Sequence, residues 1–142
     1  YILIETMIFF RVALLILLCL VSFASNAQII QLMGTSEEFI LENVKGYNSV
    51  EEKGLEHEEF NVLVFKDKNR ELAFYFTFYR GNKICNYIKS TAPLSALKEE
   101  IQYIKSYFKN IRDNVWENSS GKTQAVISES NGLGVIMLKE LR

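Results

Sequence analysis

The stretch Glu71 to Tyr79, ELAFYFTFY, constrains the fold more than any other part of this chain. Its period is two. Leu72, Phe74, Phe76 and Phe78 fall on one side of an extended backbone, and Ala73, Tyr75, Thr77 and Tyr79 fall on the other. Phenylalanines on one side and tyrosines on the other describe a sheet with one dry face and one wetter face.

Turn signals bracket this strand. Asp67-Lys68-Asn69-Arg70 predicts a hairpin turn before it, and Arg80-Gly81-Asn82 another after it. Phe60 to Lys66 alternates as a strand, with Phe60, Val62 and Val64 opposed to Leu63 and Phe65. Lys83 to Ser90 returns as a partner strand, separating Ile84 and Ile88 from Cys85 and Tyr87. A weaker strand is expected around Asn48 to Glu52, ahead of a turn at Lys53-Gly54. Before it, Ser36 to Lys45 predicts a short helix. Thr35 or Ser36 caps it, Glu37 and Glu38 suit its positive end, and Gly46 stops it.

A long helix is expected next, opened by Ala92-Pro93. Leu94, Leu97, Ile101, Ile104, Phe108, Ile111 and Val115 recur at alternating spacings of three and four. Asn118-Ser119-Ser120-Gly121 closes it. Tyr103 and Tyr107 widen the stripe, which favours packing on a sheet over a self-associating seam. Thr123 to Ser128 and Val135 to Leu141 then pair around a turn at Asn131 to Gly134. The expected fold class is α+β. An antiparallel sheet of about five or six strands carries one short and one long helix on one face, in the order α-β-β-β-β-α-β-β. No internal repeat is evident.

Met7 to Ala27 reads as a secretory signal peptide. Arg11 precedes an apolar run, and Ser25-Asn26-Ala27 places small residues at the −3 and −1 positions. The run is short of the roughly 20 residues a membrane-crossing helix needs. Cys19 follows Leu18, where lipidation requires a small residue. The expected organisation is upstream sequence at 1–6, a signal peptide at 7–27 and one globular domain at 28–142. The product is secreted or periplasmic after cleavage near Ala27-Gln28, and meets a membrane only through residues 7–27 if they are retained. Asn26-Ala27-Gln28 resembles signal ends of secreted bacterial proteins, which implies nothing about fold or activity.

Removing Arg11 and Glu5 from the 16 basic and 17 acidic residues leaves a near-neutral domain. That argues against a nucleic-acid partner, which calls for a basic excess. The charge is uneven: Glu37 to Glu59 is acidic and Lys66 to Lys89 basic. Adjacent placement of the two segments would offset both fields. After cleavage only Cys85 remains, so no internal disulfide forms, and a buried structural thiol is expected.

Few residues offer chemistry. His57 is the only histidine, among Glu56, Glu58 and Glu59. It reads as a solvated turn residue, without the three or four spaced ligands of a metal site. A Cys85–His57 nucleophile pair would need spatial adjacency. Ser95-Ala96-Leu97-Lys98 matches S-x-x-K but lacks the companion motifs of penicillin-binding enzymes. Gly132-Leu133-Gly134 lacks a dinucleotide setting, and the acidic segment lacks EF-hand spacing. Asn118-Ser119-Ser120 fits a glycosylation acceptor and reads as a helix end. No metal and no cofactor is expected.

The remaining candidate surface is aromatic: Tyr75, Thr77, Tyr79 and Tyr87, flanked by Arg80 and Lys89. A three-residue turn at 80–82 sets Tyr75 opposite Tyr87, whereas a one-residue slip moves Tyr87 to the phenylalanine side. Tyrosines with nearby cations suit a protein, peptide or glycan. The preferred reading is a secreted, non-enzymatic binding or assembly module. Two alternatives stay open: an envelope enzyme or enzyme inhibitor, and a homo-oligomeric structural protein, such as a homodimer joined along the long helix.

Overall fold

The computed structural model describes residues 28–54 and 61–141. The signal-like segment at 7–27, with Cys19, lies outside the described residues, as do His57 and Phe60.

One sheet dominates. Its strands are β1 Ser49–Gly54, β2 Asn61–Lys66, β3 Glu71–Tyr79, β4 Asn82–Pro93, β5 Lys109–Arg112, β6 Val115–Glu117, β7 Thr123–Ser130 and β8 Leu133–Glu140. They lie in the order β1-β2-β3-β4-β8-β7-β6-β5, each antiparallel to its neighbours. Three short helices accompany them: α1 Gln28–Gln31, α2 Glu37–Asn43 and α3 Leu94–Tyr107. This corrects the expected α+β fold of five or six strands with one short and one long helix. Among the described residues the chain is mostly sheet, with eight strands.

The missing strands are hidden in the supposed long helix. The stripe of threes and fours runs on to Val115, but α3 ends at Tyr107, and Phe108 is extended at φ −101°, ψ 151°. Beyond it Lys109–Arg112 and Val115–Glu117 form the β5–β6 hairpin. Its turn is Asp113-Asn114, and Asn114 takes a positive φ of 59°. Asn110, Asp113 and Asn114 are poor helix formers, while Ile111, Val115 and Trp116 favour strands. Spacing alone concealed that change of preference. Asn118 to Gly121 is accordingly a strand connection, not a helix end. The Asn118 side-chain oxygen accepts from the Lys122 and Thr123 backbone N–H groups at 3.0 Å each.

The topology repeats although the sequence does not. Helix α2 precedes the meander β1 to β4, and α3 precedes the meander β5 to β8. The two meanders meet where β4 pairs with β8, from Tyr87↔Lys139 to Pro93↔Leu133. Each closes on a two-residue turn with both residues at positive φ, Arg80-Gly81 (50° and 82°) and Asn131-Gly132 (53° and 76°).

All three helices serve one face. Ile40 from α2 and Leu97 and Ile104 from α3 join Leu63, Phe65, Leu72, Phe74, Phe76, Ile88 and Leu138 in the main core, with Ile29 and Ile30 of α1 packed against it. The stripe that a self-associating helix would present is thus used on the sheet. Helix α3 sits so close to β8 that a Cβ on Gly134 would lie 2.8 Å from Leu97 Cδ1. Ser36 caps α2, its hydroxyl oxygen accepting from Phe39 N–H at 3.2 Å.

One polar group crosses this core. The Arg70 guanidinium donates to Glu100 Oε1 at 2.6 Å and to Ser90 Oγ at 3.2 Å. Ser90 and Glu100 are both buried. The acidic and basic segments do meet in part: Lys66 pairs with Glu51 at 3.8 Å and Lys83 with Glu37 at 3.2 Å. Such partly exposed pairs add little stability.

Candidate functional site

The site follows from the register of β3 and β4. The turn between them is Arg80-Gly81, two residues rather than the expected three, so Tyr79 faces Asn82 and Phe76 faces Cys85. Continued unbroken, that register would set Tyr75 against Asn86. The ladder shifts between Tyr75 and Phe76, and Tyr75 faces Tyr87 instead. Asn86 is the extra residue of a β-bulge. Phe76 and Cys85 both stay buried, and Tyr87 keeps the tyrosine side. The expected Tyr75–Tyr87 pairing therefore stands, reached through a different turn.

Tyr75 and Tyr87 meet edge to face, with ring centroids 5.1 Å apart and planes at 87°. Burial pushes the Tyr87 hydroxyl above its ordinary pKa, and the neighbouring Tyr75 adds to the shift. Both rings are half-buried and lie away from the helices. Val62, Tyr75, Tyr87, Lys139 and Gln124 stand side by side on five successive strands. The next row is Val64, Ala73, Lys89, Met137 and Val126. Val62, Val64 and Ala73 form a second small apolar cluster, with Tyr75 against it. Lys89 thus sits one row from the tyrosine pair. Lys139 escaped the sequence reading because β8's place beside β4 is a long-range pairing.

Thr77 and Tyr79 lie further along, past the bulge. Thr77 faces Ile84. Arg80 lays its guanidinium carbon 5.3 Å from the centre of the Tyr79 ring. Tyr79 is still 50% exposed. Thr77, Tyr79 and Ile84 line a cleft of about 720 Å³ together with Lys122, Glu140 and Leu141. The cleft opens where β8 ends while β4 runs on. Here Gly34 to Ser36 takes over β8's place beside β4. Gly34 N–H donates to Cys85 O at 2.7 Å, Cys85 N–H donates to Thr35 O at 2.9 Å, and Ser36 bridges to Ile84.

The six expected residues therefore divide into two groups. Tyr75, Tyr87 and Lys89 sit mid-sheet, whereas Thr77 and Tyr79 line the cleft and Arg80 lies against the Tyr79 ring. Lys122 and Glu140 were missed by sequence reasoning. No local signal marks them, since each reaches the cleft only through the β6–β7 connection and the end of β8.

Other candidates resolve differently. Cys85 is fully buried, and its thiol contacts Tyr87 O at 3.6 Å. Burial pushes that thiol up to about 12, so it is protonated and unreactive near neutral pH. Its proposed partner His57 lies outside the described residues. Ser95 and Lys98 are both exposed on α3. Among the described residues no group of three or more His, Cys, Asp or Glu could hold a metal ion.

No protein-family model, no curated protein and no solved structure matches this chain.

Proposed function

We propose that this protein works by contact, as an extracytoplasmic binding module whose working surface is the sheet face turned away from the helices. The edge-to-face pairing of Tyr75 with Tyr87 in the middle of that face carries the reading. Tyrosine offers a large rigid area, loses little conformational freedom on binding, and keeps a polar tip for a partner's hydrogen bonds. Lys89 and Lys139 on the same face add charge that orients a protein, peptide or glycan partner. The extracytoplasmic address rests on the signal-like segment at residues 7–27. An enzyme has less to stand on, because the Cys85 thiol is buried and held protonated.

The test compares wild type with the Tyr75→Ala/Tyr87→Ala double variant, both immobilised and exposed to envelope extract and to a glycan array. A partner held by wild type and lost from the folded variant supports the reading. An identical set of partners for both removes the site.

A further inference from the structure

The geometry points to a saccharide site in the cleft at the end of β8, where the Tyr79 ring holds the face of a neutral sugar. This rests on the binding-module reading and gives it a ligand class. Four observations converge on it.

First, the cleft has the size of a small-ligand site. Its volume of about 720 Å³ falls inside the roughly 300–1,000 Å³ of typical ligand pockets.

Second, the main chain beside it is already spent. Gly34 N–H and Cys85 N–H close the ladder at β4, and Leu141 N–H donates to Lys122 O at 2.7 Å. A peptide that binds by adding a strand needs open main-chain groups in a row. Here recognition falls to side chains, which favours a ligand read through its hydroxyls and ring faces.

Third, the side chains suit such a ligand. Lys122 and Glu140 are among the residues that line the same cleft as Tyr79, one cation and one anion. With Arg80 on the Tyr79 ring, both signs are present, so hydroxyls that donate and accept are matched without a charge on the ligand. The carboxylate accepts from sugar hydroxyls, the ammonium donates to them, and the Thr77 hydroxyl does both. The C–H side of a pyranose ring fits the electron-rich face of Tyr79.

Fourth, the backbone at Arg80 is held in a conformation its side chain does not favour. Arg80 has φ 50°. The corresponding turn of the other half places Asn131 at φ 53°, the residue type expected there. An arginine in left-handed backbone is a locally costly choice, and such choices gather at functional sites. The guanidinium lies 5.3 Å from the centre of the Tyr79 ring, where it can hold that ring in place. Arg80 is a positioning residue.

The experiment titrates the ¹⁵N-labelled full-length chain with cellotetraose, N-acetylated chitotetraose, trigalacturonate, deacetylated chitosan tetramer and an extended pentapeptide. One or both neutral saccharides should shift the amides of Thr77, Tyr79, Ile84, Lys122 and Glu140 in a saturable way. Tyr79→Ala should weaken that binding about tenfold, with Glu140→Gln as a second, milder variant at the exposed strand end. Tyr75→Ala/Tyr87→Ala should leave it unchanged. No saturable shift at these amides with either neutral saccharide overturns the inference, as does tighter binding of the charged probes or the peptide. Saccharide binding lost in the Tyr75→Ala/Tyr87→Ala variant but kept in Tyr79→Ala overturns the cleft and leaves the face reading intact.

Discussion

Tyr75 faces Tyr87 across the β3–β4 ladder because Asn86 bulges out of β4 instead of pairing. The two-residue turn at Arg80-Gly81 sets one register, the bulge at Asn86 shifts it by one, and the tyrosines meet. Deleting Asn86 should join the two registers into an unbroken ladder with every other pairing kept. Among the described residues the buried Asn86 side-chain oxygen has no hydrogen-bond partner, so its loss removes a penalty of about 1–3 kcal/mol. The deletion is expected to fold with an unchanged or raised Tm and to keep the Tyr75–Tyr87 contact by NMR. Unfolding of the deletion variant would show that the bend itself is required.

Arg80→Asn should stabilise the protein by about 0.5–1 kcal/mol, because asparagine tolerates left-handed backbone better than arginine. Urea denaturation measures this directly. The same variant removes the cation on the Tyr79 ring, so near-ultraviolet circular dichroism from tyrosine should change. A loss of stability would mean that the arginine–ring contact outweighs the backbone cost.

Arg70 and Glu100 should be strongly coupled. Among the described residues Glu100→Leu leaves the guanidinium with only Ser90 as an acceptor, at a cost of about 2–4 kcal/mol. The double variant Arg70→Met/Glu100→Leu should recover most of that loss. Chemical denaturation of both single variants and the double variant closes the cycle. Independent, additive effects would contradict the buried pairing.

The protein should lose stability in alkali. The Cys85 thiol ionises at about 12 when folded, against the ordinary value of 9.0. Below pH 9 both states keep the proton and the contribution is complete. Between about 9 and 12 only the unfolded thiol ionises, so unfolding is favoured progressively. Tyr47 and Tyr87, also raised by burial, act in the same direction from about pH 10 upward. Cys85→Ala should give a shallower alkaline fall in a plot of unfolding free energy against pH. An Ellman-type reagent at pH 8 should not react with native Cys85.

Gly134→Ala should cost about 1–3 kcal/mol through overpacking against Leu94 and Leu97. Trimming the neighbour, as in Gly134→Ala/Leu94→Ala, should soften the clash without restoring the core. Thermal melts of the two variants distinguish this from a general loss of strand propensity.

Much of the sheet was legible because its evidence is local. Glu71 to Tyr79 alternates cleanly, and β3 has those bounds. The separation of Val62 and Val64 from Leu63 and Phe65 also matches two different clusters. The β5–β6 hairpin was not legible, because Phe108, Ile111 and Val115 continue the helical spacing of α3 by coincidence. There the turn chemistry of Asp113-Asn114 outweighs periodicity. In the site, Tyr75, Thr77 and Tyr79 share a side by alternation alone. The Tyr87 placement needed a bulge, which no residue type at Asn86 announces. Lys122, Lys139 and Glu140 depend on which strand lies beside β4, and strand order is a property of the whole chain.

The joint between β4 and β8 has a consequence for how the molecule assembles. β8 follows β5, β6 and β7 in the chain, so the Tyr87–Pro93 stretch of β4 emerges during synthesis with one flank unpaired and stays so until those strands have been made. Its first meander can form early from near neighbours, but the second must form before the two are sealed. During that interval the open flank of β4 is a template for the wrong strand, including one from another molecule. Slow closure of this seam should therefore set the pace of folding, and crowded expression should penalise it.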